Sequence, residues 1–435
     1  MRKIIGITAV LAFATSIASA ELLKNFKYDG NIDVNAYQVR NADYNELAAD
    51  KVNDAQTRVV LGAGFDLNDD VATKLTIAKI DEKYGTNNGA PEDIENETIN
   101  EFAFYEGYLN IKGLMGFDHK LGRQLYGNPG DLLVYYGPLT WPYNIGLGLT
   151  ATPALDGYSG YWKHEKWDIQ GVLGKNTESC TILPCVGPDT DQDIFGLIAK
   201  YDLKEDIKLA GFVYRRNTQV GATPNDHLDV VGVKANGNFK GFDYSAEVAK
   251  NMGRNNTGGI NTGLAAAPGT NNKYEGMGYL VNVKYSMDIA STLTFMGEYA
   301  SGSGDDNYTD NKVSAFMGVQ PDYRPGILWG GYGLTGAAGF AGITNLTTYN
   351  LGAEYVFSKP EKLSLAAKHY NFAPTEDFGL TYDTYGTELD FTATWKHSNN
   401  VSVKAYYAEF TPDSKFQAVN DDATNILGTS FMVKF

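Results

Sequence analysis

Alternation of apolar and polar residues with a period of two runs along almost the whole chain, and it constrains the fold more than any other feature. In the stretch "YGTELDFTATWK" at 385–396, Phe391 falls on an apolar face and Asp390 on a polar one. This period is that of a β-strand with two different faces. Comparable stretches recur across residues 26–435 with no helical segment between them. The pattern therefore predicts an all-β chain.

The connections between these stretches alternate in length. Tight links occur at 68–70, 113–117, 202–206, 236–241, 286–289, 358–361 and 397–400. Long polar loops lie at roughly 41–54, 81–100, 126–152, 174–192, 217–226, 252–276, 301–345, 372–385 and 411–426. Short periplasmic turns and long extracellular loops are typical of outer-membrane barrels. We predict a transmembrane antiparallel β-barrel of about 18 strands. A secreted β-sandwich array or a β-helix is the alternative.

The N-terminus resembles a targeting segment. Two basic residues precede an apolar run over 4–14, and the small residues "ASA" follow at 18–20. This order predicts a cleaved signal peptide over 1–20, with the outer-membrane barrel formed by 21–435. No later apolar stretch is long enough for a membrane-spanning helix.

Charge and reactive residues exclude several functional classes. The formal net charge of −16 argues against nucleic acid as a partner. The five histidines are scattered, no nucleophile and base can be paired from the sequence, and no metal-ligand spacing or cofactor motif occurs. We therefore predict no enzyme activity, no catalytic residue and no cofactor. Cys180 and Cys185, both exported, are predicted to form a disulfide within a loop, with free thiols as the alternative.

Two acidic clusters, "DTDQD" at 189–193 and "GDDNYTDN" at 304–311, carry enough oxygen ligands to suggest calcium. Neither has the glycine and the distal glutamate of an EF-hand loop. A solvated acidic loop is the favoured interpretation, and calcium binding stays open.

The functional surface of a barrel is its lumen. If the apolar face of each strand contacts lipid, the inward set carries charges of both signs, as in pores whose charged rings set selectivity. The alternative is that these charges pair across the lumen and only make it polar. The inward candidates are Arg58, Lys74, Glu106, Glu247, Glu298, Glu354, Lys368, Glu388 and Asp390.

Several short stretches resemble the alginate-export family of outer-membrane porins. They are "HKLGRQLYG" at 119–127, "PALDGYSGYW" at 153–162, "GEYASGSGDD" at 297–306 and "YGTELDFTATWKHSNNVSVKAYYAEFTP" at 385–412. The resemblance implies a monomeric 18-stranded barrel that passes a polyanionic polysaccharide through an arginine-rich constriction. It also implies that Arg123 and Asp156 line the lumen with Glu388 and Asp390. Strict alternation would turn Arg123 toward lipid, so we predict a bulge at Gly122.

The sequence thus predicts a porin that passively conducts a hydrophilic solute, with an anionic saccharide as one candidate. The alternatives are a general diffusion porin for small ions and nutrients, or a non-conducting structural or adhesin barrel. Loops 126–152 and 301–345 are long enough to fold over the mouth or into the lumen. Their aromatic residues either stack on sugars or belong to the interfacial girdle. These residues are Tyr135, Tyr136, Trp141, Tyr143 and Trp329.

The last stretch, "GTSFMVKF" at 428–435, is predicted to be the closing strand. It should pair with the first strand near Ile32 and Val34 and so remove the edges of the sheet. A terminal aromatic such as Phe435 resembles the signal read by the outer-membrane assembly machinery. The predicted location is the outer membrane of a Gram-negative bacterium, with its lipids around the barrel.

Overall fold

Eighteen long antiparallel strands close into one barrel in the computed structural model. The structure describes residues 24–47, 51–81, 102–138, 154–178, 190–220, 226–256, 272–307, 310–334, 342–358, 362–376, 382–417 and 421–435. Within these residues, no helix has the length and apolar character needed to cross a membrane. Residues 1–20, Trp141, Tyr143, Cys180 and Cys185 lie outside the described ranges.

The barrel strands follow one another around the wall in chain order. They are β1 Lys24–Arg40, β2 Val52–Asp66, β3 Val71–Asp81, β4 Phe102–Leu114, β5 Phe117–Gln124, β8 Leu155–His164, β9 Trp167–Glu178, β10 Thr190–Lys204, β11 Ile207–Val220, β12 Asp226–Phe239, β13 Phe242–Asn255, β15 Met277–Asp288, β16 Thr292–Gly302, β18 Leu346–Val356, β19 Leu363–Ala373, β20 Gly386–Lys396, β21 Val401–Pro412 and β22 Thr424–Lys434.

Shorter elements belong to the connections. They are β6 Tyr126–Gly127, β7 Tyr135–Tyr136, β14 Asn272–Tyr274, β17 Lys312–Val313 and one π-helical turn, Gly326–Tyr332. The pair β6–β7 forms a sheet apart from the barrel wall. The predicted all-β barrel of about 18 strands is confirmed.

Strand β22 closes the barrel against β1 in antiparallel register. Ile32 pairs with Val433, and Val34 pairs with Phe431. The Phe435 N–H donates to the Gly30 carbonyl, and the Gly30 N–H donates to the Phe435 carbonyl, both at 3.0 Å. The predicted pairing of the last strand with the first is confirmed, and it leaves no open edge.

The two faces of the wall differ as the alternation predicts. On β1 the outward Ile32 is 37% exposed, whereas the inward Asp33 is 4% exposed. Large apolar side chains such as Leu61, Leu173 and Phe431 cover the outer face. In a barrel these are the lipid-facing positions. The polar positions therefore face the lumen.

Tight turns lie at one end of the barrel. Lys240 and Gly241, both with positive φ (51° and 86°), join β12 to β13. Two central residues with positive φ define the type I′ hairpin, whose twist matches that of the strands. A further tight link at 165–166 joins β8 to β9. We expect this short-turn end to face the periplasm, as the short turns of outer-membrane barrels do.

Candidate functional site: the lumen and its constriction

Two connections from the long-loop end fold into the lumen and contact each other. Residues 126–138 form the lumenal hairpin, and residues 312–334 form the lumenal segment. The Tyr135 N–H donates to the Gln320 carbonyl at 2.8 Å, and the Gln320 N–H donates to the Leu133 carbonyl at 2.9 Å. The two connections therefore form one unit inside the barrel.

An apolar patch on the inner wall holds the lumenal hairpin. Val172 of β9 and Ile194 of β10 are fully buried, and they belong to one cluster with Leu132, Val134 and Tyr136 of the hairpin. Inward apolar side chains are unusual in a water-filled lumen, whose interior is polar. Fully burying each such side chain stabilises the folded loop by about 1.5–3 kcal/mol.

A second apolar patch surrounds Trp329 of the lumenal segment. Its ring stacks on Phe372 at a centroid distance of 4.7 Å and an interplanar angle of 13°. Tyr385 and Phe410 contact it at 5.1 and 5.4 Å. Trp329 is only 4% exposed. The segment is thus packed onto the inner wall formed by β19, β20 and β21.

Neither predicted role fits the described loop aromatics. Tyr135, Tyr136 and Trp329 are buried inside the barrel, so they are absent from the lipid interface and their faces are not open to a sugar. Their burial instead fixes the loops, because ring packing excludes water from the contact. The prediction of stacking or girdle positions is therefore wrong for these three residues.

Two inward carboxylates of β20 anchor the π-helical turn. Glu388 accepts the N–H groups of Leu328 and Trp329 at 2.8 and 2.9 Å, and Asp390 accepts that of Ile327 at 3.2 Å. The first N–H groups of a helical turn have no partner inside the turn, and a carboxylate there is favourable. Glu388 and Asp390 lie inside the barrel as predicted, but the lumenal segment covers them.

Gly326 allows this anchor to form. Its φ is +79°, and a Cβ atom there would lie 2.7 Å from Glu388 Oε2. A larger residue would therefore be strained and would also displace the carboxylate.

Other wall residues bind the backbone of the lumenal segment. Arg216 donates to the Val319 carbonyl at 2.7 Å. The Asn251 side chain donates to the Met317 carbonyl at 2.9 Å and accepts the Met317 N–H at 2.8 Å. The segment is thus hydrogen-bonded to the wall at several points along its length.

The predicted inward residues on the first strands form ion pairs in the wall. Arg58 contacts Asp33 through two nitrogens, at 2.8 and 3.1 Å. Lys74 lies between Asp29 at 3.2 Å and Glu106 at 3.5 Å. On this side the lumen charges neutralise each other, as the alternative interpretation predicts.

The predicted inward residues on the later strands contact both wall and loop. Glu247 pairs with Lys234 at 3.0 Å. Glu298 accepts the Tyr323 hydroxyl of the lumenal segment at 2.7 Å. Lys368 lies opposite Asp390 in the β19–β20 register, and Glu354 lies on the neighbouring β18. All four of these predicted side chains, Glu247, Glu298, Glu354 and Lys368, point into the lumen as the sequence predicts.

Arg123 and Asp156 do not line the lumen. Both registers of β5 are continuous through Gly122, so the predicted bulge is absent although the φ of this glycine is +119°. Arg123 therefore shares the outer face with Leu121, and it pairs with Asp156 at 2.8 Å. The ion pair neutralises both charges on the lipid side, which makes the outward position tolerable.

Two cavities follow one another along the lumen. The first, of 420 Å³, lies toward the short-turn end and is lined by several lysines, including Lys163, Lys200 and Lys208. The second, of 370 Å³, lies where residues 128–131 of the hairpin face residues 323–325 of the segment. Lys234 lines both cavities. We call the second cavity the constriction, because the lumenal hairpin and the lumenal segment both project into the lumen there.

The constriction presents three bases and two acids. Lys234, Arg324 and Lys368 face it together with Asp131 and Glu298. Glu298 is already bonded to Tyr323 and to Asn350, so its charge is partly satisfied within the protein.

Asp322 lies behind Arg324, at 3.7 Å from the guanidinium. Burial raises the pKa of the Asp322 carboxyl, while the Gly130 N–H at 2.9 Å and the guanidinium oppose the rise.

Sequence reasoning missed two of the three bases. Val233 points outward, so strict alternation along β12 turns Lys234 inward. The sequence therefore did contain a signal for Lys234. Arg324 lies in a loop without periodicity, and no local pattern indicates where it points. Among the residues that the structure describes, no group of three or more His, Cys, Asp and Glu is arranged to hold a metal ion.

Comparison with known proteins gives one family and a set of similar folds. The family described as alginate export matches residues 23–429. Acinetobacter baumannii OccAB2 is similar in structure with a TM-score of 0.58 at 12% identity, covering 96% of this chain and 99% of that one. Pseudomonas aeruginosa OpdQ has a TM-score of 0.58 at 10% identity, covering 95% and 99%. No curated protein sequence matches the chain.

Proposed function

The chain belongs to the alginate export family, and from this premise we propose that its lumen passively conducts a hydrophilic solute of the anionic saccharide class. Fold and family support a porin-type channel of the outer membrane. Transport of this kind needs no covalent step, and we assign no catalytic residue.

The constriction carries the proposal. Lys234, Arg324 and Lys368 converge where the lumenal hairpin and segment narrow the path. Carboxylates on a solute would meet positive charge there, and charged side chains that line a pore set its selectivity. A guanidinium can hold a carboxylate through two hydrogen bonds, whereas the two ammonium groups act as point charges. The negative net charge of the whole chain does not oppose this, because much of it lies in the loops.

A general diffusion porin for small ions and nutrients is the second candidate. The ion pairs of Arg58 with Asp33, of Lys74 with Glu106 and of Lys234 with Glu247 favour it, because paired charges select little. The folding of two connections into the lumen opposes this second candidate, because segments inside the lumen narrow the path that unselective diffusion uses. A non-conducting barrel is the third candidate, and a conductance measurement separates it from both.

Neutralising the three bases is expected to reduce anion preference. We predict that Lys234→Gln, Arg324→Gln and Lys368→Gln together lower the anion-to-cation permeability ratio roughly three- to tenfold, because close charges act strongly at low effective dielectric. The zero-current potential across a planar bilayer under a KCl gradient measures this ratio.

Lys284→Gln is the matched control, since Lys284 is inward on β15 but lines neither cavity. Equal ratios for wild type and the triple variant would contradict the assignment of selectivity to the constriction. A wild-type protein without any conductance would contradict the channel itself.

We further propose that the C-terminal residue guides assembly, and that residues 1–20 are removed as a signal peptide. Deleting Phe435 removes the two backbone hydrogen bonds to Gly30 at the seam. We expect a several-fold lower folded fraction in the outer membrane, read from heat-modifiable gel mobility, with normal conductance in the molecules that insert. Unchanged assembly of the deletion variant would refute this role.

A further inference from the structure

One ion pair of the lumen wall lies at the junction of the two cavities. Lys234 of β12 and Glu247 of β13 are opposite each other in the strand register, and their charged groups are 3.0 Å apart. Lys234 lines both cavities, so a solute that moves from one cavity to the other passes this residue. Glu247 lines the first cavity but not the constriction.

The two members of this pair differ in their access to the lumen. The Lys234 side chain is 31% exposed, whereas the Glu247 side chain is only 3% exposed. A solute carboxylate can therefore reach the base while the acid stays covered. Because a buried carboxylate is costly unless it is paired, Glu247 keeps its attraction for Lys234 when a solute is present.

Two other inward ion pairs lack this combination. Arg58 and Asp33 are both buried, with side chains 7% and 5% exposed, so a solute reaches neither. Lys74 is 31% exposed, but it lies between two carboxylates, Asp29 at 3.2 Å and Glu106 at 3.5 Å. None of these five residues lines either cavity.

The two acids of the constriction are fixed by other contacts. The Asp131 carboxylate accepts two N–H groups of its own hairpin, at 2.8 and 3.1 Å. Glu298 accepts a hydroxyl of the lumenal segment at 2.7 Å. Among the residues that the structure describes, neither acid forms an ion pair with Lys234, and Glu247 does.

We propose that Glu247 competes with an anionic solute for Lys234 and thereby speeds the exit of that solute, an inference that rests on the passage of an anionic saccharide proposed above. A solute carboxylate draws the ammonium group away from Glu247, and the buried carboxylate draws it back. Conduction requires binding that is weak enough for the solute to leave. The pair therefore limits the time that an anion spends beside Lys234.

The test is a double-mutant cycle on the full-length channel in a planar bilayer, with a short oligouronate as the blocker. Glu247→Gln removes the competing charge and keeps an oxygen that can accept a hydrogen bond from Lys234. We expect each blocking event to last about five- to tenfold longer than in wild type, within the range of coupling between neighbouring residues. In the Lys234→Gln background no ammonium group is left to compete for. There, Glu247→Gln should change the event length by less than about twofold.

Glu106→Gln is the matched control. It also removes a buried acid from a glutamate–lysine pair and raises the lumen charge by one, but neither Glu106 nor Lys74 lines either cavity. Its blocking events should last as long as those of wild type. An equal lengthening in Glu106→Gln, or an equal effect of Glu247→Gln in both backgrounds, would overturn the proposal, because the total charge of the lumen would then set the event length.

A conservative variant keeps the test decisive. Glu247→Asp retains the charge on a shorter side chain, so its event length should fall between those of wild type and Glu247→Gln. If Glu247→Gln fails to form a heat-modifiable barrel, Glu247→Asp carries the test with a smaller expected lengthening.

Failure of this inference is distinguishable from failure of the proposed function. The oligouronate is compared with a neutral oligosaccharide of the same length. If the oligouronate blocks wild type more strongly and Glu247→Gln changes nothing, the bases bind the anion but Glu247 does not compete for Lys234. Only the inference is then overturned. If the two sugars block wild type and Glu247→Gln alike, the proposed solute class is wrong, and the inference is overturned with it.

Discussion

Replacing Glu388 by Ala is expected to release the lumenal segment. The single-channel current of the variant should then fluctuate much more than that of wild type. The carboxylate accepts the Leu328 and Trp329 N–H groups, which are buried and have no other acceptor within the turn. Leaving a buried donor unsatisfied costs about 1–3 kcal/mol for each group. A loss of about 3 kcal/mol raises the displaced population by roughly two orders of magnitude. Single-channel recording should therefore show added open levels of higher conductance.

A graded series makes this test specific. Glu388→Gln keeps one oxygen acceptor, so we expect it to fall between wild type and Glu388→Ala. Glu354→Ala removes an inward carboxylate on β18, and among the residues that the structure describes this side chain forms no hydrogen bond to the lumenal segment. This control should leave the noise unchanged. Recordings of Glu388→Ala that match wild type would show that the carboxylate does not hold the segment.

Replacing Trp329 by Ala is expected to loosen the same segment through its apolar contacts. The indole packs against Phe372, Tyr385 and Phe410 and is almost fully buried. Truncation of a buried aromatic residue to Ala costs about 3–5 kcal/mol. Because the barrel wall is hydrogen-bonded independently, we expect the loss to appear as local opening rather than global unfolding. Amide hydrogen exchange over residues 326–332 should become faster by about two orders of magnitude or more.

Trp395→Ala is the control for this prediction. Trp395 belongs to the same strand, β20, as the anchoring carboxylates, but it is exposed on the outer face. Its removal should leave exchange at 326–332 as in wild type. If Trp329→Ala also leaves that exchange unchanged, the aromatic packing does not hold the segment in the lumen.

The barrel could be predicted from the sequence because apolar and polar residues alternate between the two faces of each strand. Alternation determines which side of the wall Arg58 and Lys74 occupy, and the alternating connection lengths determine how the strands follow one another. The pairing of Ile32 with Val433 follows from the same reasoning, since a closed barrel must join its last strand to its first. These features depend on the two-residue alternation within each strand and on the closure of the barrel by its last strand. Both can be inferred from one sequence.

The constriction could not be predicted in the same way. Their length allows loops 126–152 and 301–345 to fold into the lumen, but loop residues have no period. Nothing in the sequence therefore indicates that Tyr136 or Trp329 becomes buried there. Alternation correctly turns Glu388 toward the lumen, yet it cannot reveal that backbone N–H groups from a connection some 60 residues earlier in the chain cover it. A family resemblance placed Arg123 inside, and strict alternation, which turns it outward, agrees with the structure.

The most direct test of the proposed solute class is block of the ion current by oligosaccharides. A short oligouronate and a neutral oligosaccharide of the same length are added in turn to the wild-type channel in a planar bilayer. We predict that the oligouronate interrupts the current at a concentration several-fold lower than the neutral sugar requires. This difference should disappear when Lys234, Arg324 and Lys368 are all replaced by Gln. Equal block by the two sugars in wild type would contradict passage of an anionic saccharide through a basic constriction.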